Sequence, residues 1–183
     1  MTDQPSRHIR LRAPASEQPF HVVLVEPEIP PNTGNIARLC GATCSVLHLV
    51  GKLGFSTDEQ AVRRAGLDYW HLVDVRRHET LPEAEAEIIA GRPPGAAKPK
   101  VWLLSGKGRR SYVDVAFEPG DVFVFGKESV GLPEDLLAER SDAVLAIPVL
   151  GAVRSHNLAN AVAIVIYEAL RQTGQLAGAV SAP

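Results

Sequence analysis

The chain has 183 residues, 45% of them hydrophobic and 22% charged, with a formal net charge of −2. That size and balance describe one globular domain with room for a substantial core. The near-neutral charge excludes a globally basic nucleic-acid coat, so any contact with nucleic acid must use local patches.

Residues 1–19 are polar, hold three prolines and show no periodicity, so they read as a disordered N-terminal tail. Arg7, Arg10 and Arg12 stand where a secretory signal would need an apolar core, so none is expected. Phe20 to Val25 reads as a strand rich in β-branched residues. It ends at Glu26-Pro27-Glu28-Ile29-Pro30-Pro31, where the prolines lack the donors a sheet requires. Asn32-Thr33-Gly34-Asn35 supplies a turn and a helix cap. In the helix that follows, Ile36, Leu39, Cys40 and Thr43 take the inward spacing, while Arg38 points elsewhere. Arg38 falls in the first turn, where the helix dipole disfavours a cation unless an anion such as a phosphate arrives. A solvated surface arginine fits the same pattern.

Ser45 to Val50 is a second strand. Cys40, Cys44 and His48 have a spacing that would suit a metal on one helix. The strand separates them, however, and no fourth ligand is evident, so no metal site is expected. Two cysteines suit a reducing cytoplasm. Thr57 to Gly66 reads as a short helix with the basic pair Arg63-Arg64, and Tyr69 to Val75 includes the third strand, followed by Arg76, Arg77 and His78. Leu81 to Ala90 is an acidic helix and Gly91 to Pro99 a Pro/Gly-dense loop. Val101 to Ser105 and Asp121 to Phe125 are buried strands. Gly106-Lys107-Gly108-Arg109-Arg110 has no apolar helix behind it, so it is not a dinucleotide fingerprint. Neither is Gly126-Lys127-Glu128 a Walker loop: the glycine spacing is wrong and an acid follows the lysine. Pro133 opens a helix over PEDLLAER.

Ala143 to Gln172 organises the rest: a strand over Val144 to Val149, a polar knot Arg154-Ser155-His156-Asn157, then a helix. From Asn157 to Leu170 only Asn157, Asn160 and Glu168 are polar. Such a helix is buried on more than one side, against a sheet and against a second helix or subunit. It is too short to span a membrane. Alternating strands and helices make an α/β domain with a mostly parallel sheet flanked by helices. One domain is expected over 20–178, with a short tail at 179–183. Polar turns follow three late strands, at Ser105-Gly106, at Gly126-Lys127-Glu128 and from Gly151 to Asn157. In a parallel sheet such turns share one edge and can line one crevice.

Three ordered motifs carry a resemblance to a family. They are Pro31-Asn32-Thr33-Gly34-Asn35-Ile36-Ala37-Arg38; Phe125-Gly126-Lys127-Glu128-Ser129-Val130-Gly131-Leu132-Pro133; and Ile147-Pro148 with Arg154-Ser155-His156-Asn157-Leu158-Ala159-Asn160-Ala161-Val162. Together they resemble the SpoU (TrmH) branch of the SPOUT RNA methyltransferases. EPEIPPNTGNIARLC and RRAGLDYW are most similar to its members that methylate the ribose of the tRNA wobble nucleotide. His156 and Val153 depart from that pattern. The resemblance implies an α/β fold with a C-terminal deep trefoil knot. It implies S-adenosylmethionine as methyl donor, S-adenosylhomocysteine as product, and no metal. Carried over, the donor contacts are Leu104, Gly126, Ile147 and Ser155. The catalytic set is Arg38, Asn35, Glu128, Ser155 and Asn157, with Glu128 orienting Asn35 or Arg38. A cytoplasmic homodimer through the C-terminal helix is implied, Tyr167 contributing. The partner would be the tRNA anticodon region, methylated at the 2′-hydroxyl of cytidine or uridine 34. The alternative is a non-catalytic or differently targeted RNA-binding member of the same fold, directed at another tRNA or rRNA ribose. Arg63, Arg64, Arg76, Arg77, Lys107, Arg109 and Arg110 are candidate phosphate contacts.

Overall fold

A computed structural model describes residues 10–55 and 70–182. Its strands are β1 (Arg10–Arg12), β2 (His21–Val25), β3 (Val46–Val50), β4 (Val75–His78), β5 (Val101–Leu104), β6 (Arg110–Ser111), β7 (Val122–Phe125), β8 (Val144–Ala146) and β9 (Val180–Ala182). The α-helices are α1 (Pro30–Thr43), α2 (Leu81–Ala90), α3 (Glu134–Glu139) and α4 (Leu158–Gln172). Seven strands form one sheet in the order β4-β3-β2-β7-β5-β8-β6, and every pairing in it is parallel. Parallel sheets need cover on both faces, which is why the VWLL of β5 and the VFVF of β7 are apolar without a gap. Val22, Leu24, Leu47, Leu49, Phe123 and Phe125 face one way, under α1 and α4. Val23, Val50, Leu103, Val122 and Val124 face the other, under Leu81, Ala84 and Ile88 of α2. Each fully buried aliphatic or aromatic side chain contributes roughly 1.5–3 kcal/mol.

The α/β architecture with a parallel sheet agrees with the sequence, but several elements differ. The stretch read as the third strand instead holds a 3-10 turn, Trp70–Leu72, and the strand is Val75–His78. Its arginines looked like loop residues. In fact the guanidinium of Arg76 is held by Asp74 (2.7 Å) and by Glu87 of α2 (3.1 Å), so the charge sits at the sheet edge without loss. β8 stops at Ala146, ahead of Pro148, rather than running to Val149. Within the stretch read as a tail, Arg10–Arg12 pairs antiparallel with Val180–Ala182. Neither segment carries an apolar alternation, and only the meeting of the two reveals the strands. The helix expected over Thr57 to Gly66 lies outside the described residues.

β8 lies between β5 and β6, although both precede it in the chain. The connection from β5 to β6 therefore passes β8, and at Gly108 it does so closely. A Cβ there would come within 2.7 Å of the Leu145 carbonyl carbon and 2.8 Å of the Ala146 nitrogen.

Candidate active site

The sheet sends its carboxyl ends to one edge, and the neighbouring strands β7, β5 and β8 deliver three turns there. Register pairs Leu104 with both Phe125 and Leu145, so Leu104, Gly126 and Ile147 stand at the tips of adjacent strands. Leu104 is in the core cluster, and half-buried Ile147 packs against the same cluster. Gly126 is compulsory: a Cβ would lie 2.2 Å from the carbonyl carbon of Gly131. The loop 126–131 doubles back so tightly that the Gly131 N–H donates to the Lys127 carbonyl (2.9 Å). Apolar walls formed by Leu104 and Ile147 suit a flat heteroaromatic ring such as adenine.

Helix α1 begins beside this loop. Prolines at its start set the backbone, but Ile29 at the cap position has no side-chain oxygen, and the first turn holds no acid. Glu128 makes good the deficit from the loop after β7. Its carboxylate accepts from the Glu28 N–H (2.9 Å), the Ile29 N–H (3.3 Å) and Asn32 Nδ2 (3.0 Å). A negative charge at a helix N-terminus is favoured by the dipole and by the orphan donors there. Asn32, 7% exposed, passes the contact on: its Oδ1 accepts from Asn157 Nδ2 (3.0 Å). Asn157 Oδ1 in turn accepts from the Ala159 and Asn160 N–H groups and caps α4. Glu128, Asn32 and Asn157 thus join all three motifs in one hydrogen-bonded chain.

Glu128 therefore acts first on the backbone and the asparagine at the start of α1. Its contacts are with Glu28, Ile29 and Asn32, and Lys127 beside it pairs with Glu26 (2.6 Å). Asn157 both caps its helix and fixes Asn32. Asn35 and Arg38 are exposed on α1, one turn apart, and Arg154, Ser155 and His156 are exposed in the loop before α4. Sequence reasoning missed Asn32, which it took for part of a cap. The available signal was an asparagine inside the first turn of a helix whose neighbours face the core, because buried amides require partners.

Of the candidate phosphate contacts, Arg76 is engaged by Asp74 and Glu87, Lys107 by Glu134, and Arg110 donates to the Asp114 carbonyl (3.2 Å). Arg77 and Arg109 are exposed, while Arg63 and Arg64 lie outside the described residues. Burial pushes the Cys40 thiol up to about 12, so it remains a protonated core group. Among the described residues no group of three or more His, Cys, Asp or Glu could hold a metal ion, and no helix is long and apolar enough to cross a membrane.

The SpoU rRNA Methylase family model matches residues 19–167. A tRNA (cytidine(34)-2'-O)-methyltransferase from Acidovorax sp. (strain JS42) is 47% identical over 158 residues, covering 86% of this chain and 94% of the relative. A solved structure described as "Structural insights into the 2-OH methylation of C/U34 on tRNA" superposes with a TM-score of 0.74 at 42% identity, covering 85% of this chain and 96% of that one. The AdoMet-bound rRNA methyltransferase from Sinorhizobium meliloti superposes at 0.68 with 27% identity, over 85% of this chain and 57% of that one. With the family model spanning residues 19–167, which hold the loop after β7, the start of α1 and the turn before α4 that Glu128, Asn32 and Asn157 tie together, this chain belongs to the SpoU rRNA methylase family.

Proposed function

We propose that this protein is an S-adenosylmethionine-dependent tRNA methyltransferase acting on the ribose 2′-hydroxyl of nucleotide 34, cytidine or uridine. The observation that carries the reading is the 47% identity to the Acidovorax enzyme along nearly the whole of both chains. When bound, the donor supplies a methyl group on a sulfonium, which passes to the ribose oxygen as the S–C bond breaks and leaves S-adenosylhomocysteine. Leu104, Gly126, Ile147 and Ser155 hold the donor, the first three as an apolar and backbone slot. Water exclusion there favours a transfer in which positive charge disappears. No residue needs to supply a metal.

Arg38 stands over the acceptor ribose as a cationic clamp, with Asn35 beside it. A guanidinium with a pKa above about 12 is a poor base, so its part is to stabilise the negative charge that develops on the ribose oxygen as its proton passes to solvent. Glu128 and Asn157 hold α1, and hence Arg38, against the donor loop. The insertion of β8 between β5 and β6 supports a C-terminal deep trefoil knot. A homodimer through α4 is supported by the outward face of that helix, where Tyr167 is 48% exposed. Its workplace is the cytoplasm, with the tRNA anticodon region as partner.

The test is methyl transfer from labelled S-adenosylmethionine to tRNA, with the modified nucleotide mapped by mass spectrometry of the digested product. Label at ribose 34 is expected. Arg38→Ala lowers kcat by about 10²–10³-fold with the fold intact. Full activity in that variant removes Arg38 from the mechanism, and tRNA binding without transfer identifies a non-catalytic member of the family.

A further inference from the structure

Residues 26–29, between β2 and α1, lie pressed between two other loops. Glu26 has φ 48°, a left-handed conformation that costs a non-glycine residue about 1 kcal/mol or more and persists only where its surroundings impose it. Its N–H donates to the Val50 carbonyl (2.8 Å) and its carboxylate meets Lys127. On the side of β3, a Cβ at Gly54 would come within 2.9 Å of the Glu28 Cα, and the Gly54 N–H donates to the Pro27 carbonyl (3.0 Å). On the side of β7 the contacts are reciprocal. Glu128 accepts from the Glu28 N–H (2.9 Å), while the Ser129 N–H donates to Glu28 Oε2 (3.1 Å).

We infer that Glu28 is a positioning residue for the methyl-donor loop, its carboxylate holding the Ser129 peptide so that loop 126–131 keeps its donor-binding shape. This rests on the donor site proposed above. The reciprocity gives the reason. Glu128 and the Lys127–Glu26 pair join the loop and the 26–29 segment through side chains of the loop, whereas Glu28 takes hold of the loop's own backbone at Ser129. The backbone of Glu28 is itself immobilised by Gly54, so its side chain works from a fixed base. Hydrogen bonding from Ser129 holds the Glu28 carboxyl below the usual carboxylate range, so it is ionised at neutral pH.

The experiment uses the full chain with S-adenosylhomocysteine as probe: calorimetric binding, steady-state constants for S-adenosylmethionine and tRNA, and hydrogen exchange of the wild type with and without probe. Glu28→Ala is expected to weaken probe binding and raise the donor KM about tenfold, the effect of one lost charge-assisted hydrogen bond. The KM for tRNA stays unchanged, and Glu28→Gln, which keeps an acceptor oxygen, recovers most of the loss. Unchanged donor binding in Glu28→Ala overturns the inference. So does a Gln variant no better than Ala, or a parallel decline of donor and tRNA constants with a lowered Tm. Hydrogen exchange separates the two levels. Probe protection at 126–131 upholds the donor site whatever Glu28 does, whereas protection elsewhere removes the site and this inference together.

Discussion

Asn32 offers its amide in both directions, Nδ2 to Glu128 and Oδ1 to Asn157, and no other residue type of its size can do so. Asn32→Ala leaves the half-buried Glu128 carboxylate and the exposed Asn157 amide each one partner short, so a loss of about 1 kcal/mol in denaturant unfolding is expected. Asn32→Asp is worse at neutral pH, because it sets a second carboxylate where a donor stood 3.0 Å from Glu128. Part of that extra loss returns on acidification, as one of the two acids takes up a proton; a pH series of unfolding midpoints checks it. The sequence marks the neighbourhood of Asn32 through its motif, but not its role. Its partners are 96 and 125 residues away, and local spacing says nothing about bonds of that reach.

Strands β2, β3, β5 and β7 are legible because burial on both faces writes apolar runs, broken only by His21 and His48. β4 is not, since its arginines are neutralised by Asp74 and by a helix that the sequence does not show lying alongside. Register also assembles something no pattern announces. His21 on β2, His48 on β3 and His78 on β4 form a buried line, with ring nitrogens 3.0 Å and 2.9 Å apart. Beyond it lie Asp74, Arg76, Arg92 and Glu87, the last 3.7 Å from His78 Nδ1. Burial is the first cause that lowers His21 to about 4 and His48 to about 3. Folded pKa values below the unfolded 6.5 mean that the unfolded chain binds more protons in acid. The stability these rings contribute is therefore complete above pH 6.5, and it is lost as pH falls toward 4 and then 3. By pH 5 each costs roughly 2 kcal/mol relative to pH 7.5. Denaturant midpoints between pH 7.5 and 4.5 should show this slope, and His48→Gln should flatten it.

At the scale of the whole molecule, the parallel sheet and its two covered faces follow from the strand–helix alternation, whereas the order of strands does not. That order sets the route of the chain: β8 must enter between β5 and β6, beside a connection that has room only for glycine at 108. Gly108→Ala puts a methyl against the backbone of Leu145 and Ala146 rather than against a yielding side chain. A destabilisation of about 1–3 kcal/mol is expected, together with slower refolding, because non-local closure already limits such a sheet. Stopped-flow refolding with matched equilibrium unfolding separates the two effects.

The cap that Glu128 lends to α1 comes from about a hundred residues downstream. During synthesis the segment with Arg38 leaves the ribosome long before the carboxylate that anchors it, and Asn157 is later still. A nascent chain shortened ahead of these two residues carries this helix with its N-terminus uncapped. The tether at the start of this helix is therefore completed in two stages, the later one waiting for Asn157.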